Sequence, residues 1–131
     1  IMSMKNGIKL IDIGTRLIAV GIFGYSAFMK FTADPAAVYI FQRIGMESAG
    51  RYCVAILECI AIVLLLIPKM AWRGAILGGL MMFGAICMHL TMGELNILGD
   101  SGLMFASAIV VLFCCISILV FHKSELEAEL N

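Results

Sequence analysis

Apolar positions run along the chain in four long blocks, at 8–29, 49–67, 72–92 and 102–121, separated by short polar breaks. Each block holds 19 to 22 residues, close to the roughly 20 that a helix needs to cross a hydrocarbon core. The pattern predicts an all-α integral membrane four-helix bundle, with residues 1–131 forming one four-span transmembrane domain. The long break after the first block carries helix signals of its own. Thr32 or Asp34 can cap, Pro35 suits a first helical turn, and Gly45 can end it. Val38, Phe41 and Ile44 recur at three-residue spacing. A short amphipathic helix over about 35–44 is therefore expected, lying in the outer interface and folded over the bundle. The turn at 67–72 is tight, residues 93–101 connect the last pair, and the acidic tail suits a helical extension or a frayed end.

Composition agrees with this pattern. The chain is 63% hydrophobic and 14% charged, where a soluble domain carries roughly a quarter charged residues. Formal net charge is zero, which removes nucleic acid as a partner and leaves the lipid bilayer. Lys5 and Lys9 precede an apolar stretch, as in a signal peptide. Asp12 and Arg16 interrupt that stretch and no small-x-small cleavage site follows, so a mature first span is expected. All five cysteines (53, 59, 87, 114 and 115) fall inside the spans and none forms a C-x-x-C pair. No metal site or redox dithiol is indicated, and buried free thiols are expected.

Five ionisable residues inside the spans need an explanation: Asp12, Arg16, Lys30, Glu58 and His89. Ionisable groups at membrane depth are candidates for function. Glu58 has nine residues of its block on each side. Arg16 falls near the midpoint of the first block, so a bidentate Arg16–Glu58 pair is expected at mid-depth, with Asp12 competing for Arg16. Lys30 lies roughly 21 Å further along the same helix and about 40° around it. In the third block Gly74, Gly78, Met82, Ala85 and His89 share a face, and its small residues suit close helix contact. His89 is thus expected to point into the bundle, either bonded to a backbone carbonyl or serving a ligand. Arg16, Lys30, Glu58 and His89 form the candidate ligand pocket.

"TRLIAVGIFGYSAFMKF", with Arg16, Gly21 and Lys30–Phe31, resembles the first span of the DoxX family of small four-helix membrane proteins. "DPAAVYIFQRIG" resembles that family's outer connector. "AILECIAIVLLLIPKMAWRGA" is similar to its second span and turn, and "MMFGAICMHL" to the end of its third. Ala27 stands where the family often has glycine, and the fourth span carries no motif that maps. The resemblance implies a redox-associated subunit of the bacterial inner (plasma) membrane that interacts with a quinone; relatives in the wider superfamily serve as assembly factors. A quinone carbonyl needs hydrogen-bond and proton donors, which Arg16, Glu58 and His89 could supply. The chain has no haem, iron–sulfur or flavin motif, so electrons would come from a redox partner subunit. It would be at most a non-catalytic or quinone-site part of an oxidoreductase, and a homo-oligomer is open to it. Two other roles fit the same residues: a small proton-coupled transporter using Glu58, and a lipid- or client-binding structural subunit.

Lysine and arginine flank the spans five to three in favour of the side holding both termini, which predicts cytoplasmic termini. A cysteine replacing Lys123 is expected to resist an impermeant maleimide added to intact cells. Labelling from outside would reverse the orientation.

Overall fold

A computed structural model describes residues 2–131, with side chains from Met4 onward. The elements are α1 (Met2–Phe31), α2 (Pro35–Arg43), α3 (Ala49–Leu66), a 3-10 turn (Pro68–Met70), α4 (Ala71–Met92), α5 (Leu103–Phe121) and α6 (Lys123–Leu130). The described residues contain no strand. α3, the Pro68–Met92 segment and α5 are each long and apolar enough to cross a membrane. α1, α3, α4 and α5 form a four-helix ring in which α1 and α4 each pack on α3 and α5.

The breaks behave as their chemistry dictates. Asp34 caps α2, its carboxylate accepting from the Ala36 N–H at 3.1 Å, with Pro35 in the first turn. Pro68 stops the α3 ladder and starts the 3-10 turn. α4 ends at Gly93, whose φ of 70° only glycine adopts without penalty. The acidic tail is helical, with Arg73 of α4 3.0 Å from Glu129 of α6.

Two contacts set the register of α1 against α3. Arg16 Nε donates to the Leu65 carbonyl at 2.7 Å, and the Arg51 guanidinium donates to the Lys30 carbonyl. Residues from about Thr15 to Phe31 of α1 therefore lie level with α3. The preceding turns of α1 continue past the C-terminal end of α3, at the end of the bundle that holds both termini (its inner end, the opposite end being the outer), where Asp12 reaches His122 just beyond α5 at 3.0 Å.

The core fills only one half of the ring. Ala19, Phe23, Ala61, Leu65, Ala75 and Val111 are fully buried there, along with Cys115 and Ile118. Gly74 and Gly78 make this closeness possible. A Cβ at Gly74 would stand 2.9 Å from the Leu65 backbone nitrogen, and one at Gly78 2.9 Å from the Phe23 ring. Cys114 and Cys115 are buried free thiols, as expected. Cys53, Cys59 and Cys87 are exposed instead, because they fall on the outward faces of α3 and α4.

Gly74→Ala is expected to lose about 1–3 kcal/mol, because the nearest atom is backbone and cannot step aside. Gly84→Ala, on the same helix with nothing within 4 Å of the added carbon, should match or slightly exceed wild type, since alanine is the better helix former. Thermal unfolding in detergent measures both.

Candidate binding cavity

Beyond Phe23 the four helices separate. They enclose a cavity of ≈700 Å³, walled by the outer halves of α1, α4 and α5 and by one face of α3. The small-residue face of α4 continues into it: Gly74 and Gly78 pack the core, whereas Met82, Ala85 and His89 line the space. Ser26 of α1 and Ser107 and Ala108 of α5 face the same volume. Side chains of this size leave the helices no means of filling the gap between them. α2 and the 97–100 loop cover the outer end.

Glu58 sits in the wall, fully buried. Its Oε1 lies 3.1 Å from Lys30 Nζ, an ion pair whose alignment falls short of a hydrogen bond. Neither carboxylate oxygen accepts an aligned hydrogen bond, with Lys30 and the Ser26 hydroxyl as the nearby polar groups. Lys30 also donates to Ser26 Oγ, one turn back along its own helix. His89 is 2% exposed and its Nδ1 is 3.1 Å from the Glu94 carbonyl oxygen. A carbonyl can only accept, so Nδ1 carries the proton in this contact. In the neutral ring Nε2 is then an acceptor, and it has no hydrogen bond among the described residues. The Phe105 ring meets the imidazole edge-on at 5.7 Å between centroids.

The same glutamate holds the roof. Gly93 turns the chain so that the Glu94 N–H returns to the His89 carbonyl at 3.3 Å. The Glu94 side chain accepts from Tyr39 of α2 at 2.7 Å and lies 3.7 Å from Arg43. That hydrogen bond, reinforced by burial and by the carboxylate charge, pushes the Tyr39 hydroxyl above its usual range. Asp100 orders the rest of the loop. Burial would raise its carboxyl, but N–H groups of Ile97, Met104, Gly102 and Leu103 outweigh that and hold it below the usual range.

A family model for the DoxX-like family matches residues 15–120. The chain belongs to the DoxX-like family. With its apolar helices, this makes it an integral membrane protein. No characterised protein and no solved structure gives a significant match.

In this DoxX-like protein three of the four expected pocket residues, Lys30, Glu58 and His89, share one cavity. Arg16 does not line it, and Glu58 is held by Lys30 rather than Arg16. The reason is directional. Glu58 is seven residues from Leu65, the level of Arg16, and seven from Arg51, the level of Lys30. Side chains lean toward the N-terminus of their own helix. In an antiparallel pair, Lys30 therefore leans down toward Glu58 and Glu58 leans up toward Lys30, while Arg16 leans away. Arg16 instead ties α1 to the last turn of α3 and sits 3.7 Å from Asp12.

Arg51 enters the sequence pattern only as one of the eight lysines and arginines that flank the spans. The structure buries it, 2.7 Å from Glu47, over the Tyr52 ring and against the end of α1. The i, i+4 spacing of Glu47 and Arg51 was the available signal. The Tyr39–Glu94 and Asp12–His122 contacts carry no local signal, because they join residues distant in sequence.

Lys30→Met and Glu58→Gln are each expected to destabilise the protein more than the double mutant does, since either alone strands a buried charge. Coupling of about 1–3 kcal/mol is expected. Arg16→Met and Glu58→Gln should be additive within about 0.5 kcal/mol. Additive losses for Lys30 and Glu58 in thermal melts would rule out the pair.

Proposed function

We propose that the protein is a redox-associated membrane subunit whose outer cavity takes the headgroup of a quinone or a similar lipophilic molecule. The observation that supports it is the cavity itself. It lies among apolar walls in the half of the bundle that the core leaves empty, yet it holds a buried lysine–glutamate pair and a buried histidine. Ligand sites combine an apolar lining with a few converging polar groups in this way.

In this reading α1 is the fourth span, level with α3 from about Thr15 to Phe31. Both termini lie on the cytoplasmic side of a bacterial inner membrane, and the cavity is in the opposite half. Lys30 and His89 contact the head, Glu58 keeps the lysine in place, and the methionine-lined walls hold the ring. Arg16 serves the bundle's inner end. Electrons come from a separate redox subunit, since the chain carries no motif for a redox centre. A proton-coupled exporter fits less well, because its carboxylate should be free to exchange its proton, whereas Glu58 is paired with Lys30.

Displacement of a short-tailed quinone analogue in detergent tests the proposal. Gly84 lines the cavity, and a Cβ added there meets nothing within 4 Å. Gly84→Leu should therefore preserve the melting temperature while weakening binding at least tenfold. His89→Ala should weaken it as well, and Arg16→Met should not. Failure of wild type to bind any quinone, with phospholipid as its only co-purified small molecule, would replace this reading with a lipid-binding structural role.

A further inference from the structure

The polar groups of the cavity are not symmetrical between donors and acceptors. Glu58 Oε2 is buried without a partner, and Oε1 accepts no aligned hydrogen bond. The His89 Nδ1–H is committed to the Glu94 carbonyl, which leaves Nε2 to accept. Lys30 directs two of its three N–H groups at Ser26 and Glu58, which leaves one fixed donor against the acceptors of Glu58 and His89. The hydroxyls of Ser26 and Ser107 can rotate to donate or to accept, so they select neither kind of ligand. Buried groups left without partners are costly, and a ligand that satisfies them gains accordingly.

Charge and wall chemistry narrow the choice. Asp34 and Asp100 at the roof are taken up by backbone N–H groups, and Lys30 neutralises Glu58, so a cationic amine reaching Glu58 would have to sit beside an ammonium. A neutral donor meets no such repulsion. Met29, Met81, Met82, Met88 and Met104 line the cavity, and thioethers make favourable contacts with aromatic rings. We infer that the cavity selects a neutral aromatic head carrying hydroxyl donors, of the phenol or hydroquinone class, with Glu58 and His89 Nε2 as its acceptors. This rests on the proposed quinone site and assigns its preference: the reduced form of the couple binds more tightly than the oxidised form, whose two carbonyls can only accept.

Anaerobic calorimetry with the full-length protein in detergent tests this, using a short-tailed benzoquinone, its hydroquinone, and the dimethyl ether of that hydroquinone. The hydroquinone should bind at least tenfold tighter than the quinone. The ether, which keeps the ring but cannot donate, should bind no better than the quinone. A tenfold preference also raises the midpoint potential of the bound couple by about 30 mV. Glu58→Gln should narrow the preference, because an amide can donate as well as accept. That variant must first show a wild-type-like near-ultraviolet spectrum; the comparison on wild type stands without it. Equal or tighter binding of the quinone overturns the inference and leaves the quinone site intact. Tighter binding of a long-chain alkylamine than of the hydroquinone overturns it too. No binding of either redox form removes the inference together with the function it rests on.

Discussion

The ion pair between Lys30 and Glu58 is the interaction on which the outer half of this bundle depends. A charged residue at the centre of a spanning helix costs roughly 2.5–3.5 kcal/mol on insertion scales. A partner at the right depth offsets much of that, and which partner is available follows from helix direction. α1 and α3 are antiparallel, so side chains separated by seven levels can lean toward each other or apart. Lys30 and Glu58 lean together. The pair joins the end of α1 to the middle of α3, above the point where Phe23 closes the core. The space above Phe23 is thus bounded by a charged pair on one side and by methionines and small side chains on the others.

The bundle's two halves solve different problems with the same helices. In the inner half Gly74 and Gly78 admit a backbone and an aromatic ring at contact distance, and dispersion between closely packed surfaces holds the helices together. In the outer half the same face of α4 carries Met82, Ala85 and His89, and the neighbouring helices do not close on it. The roof takes over there. Glu94 anchors α2 through Tyr39 and Arg43 with its side chain and orients His89 with its carbonyl. One residue therefore serves both the cover and the wall, and displacement of α2 would be felt at the imidazole.

Helix number, helix limits to within a few residues for most elements, and the inward direction of His89 were legible in the sequence. Apolar block length, Pro35, Pro68 and Gly93 are local signals, and they act locally. Lys30, Glu58 and His89 were legible as candidates because ionisable groups are rare in such blocks. Arg16 was misplaced for a specific reason. The midpoint of the first apolar block puts Arg16 level with Glu58, but α1 begins at Met2 and extends past the end of α3 on the inner side. Block midpoints align only when helices share both ends. Lean along the helix axis, which decides between Lys30 and Arg16, is not a property of spacing. The Tyr39–Glu94 and Asp12–His122 contacts join residues 55 and 110 positions apart, beyond the reach of any helical periodicity.

Gly21 and Gly84 line the cavity, and each would accept a side chain without touching anything nearby. Neither is demanded by packing, unlike Gly74. The inner core and the cavity can therefore diverge at different rates under selection. A single substitution at either position would resize the chamber without disturbing the packed half, so cavity volume can change without rebuilding the bundle.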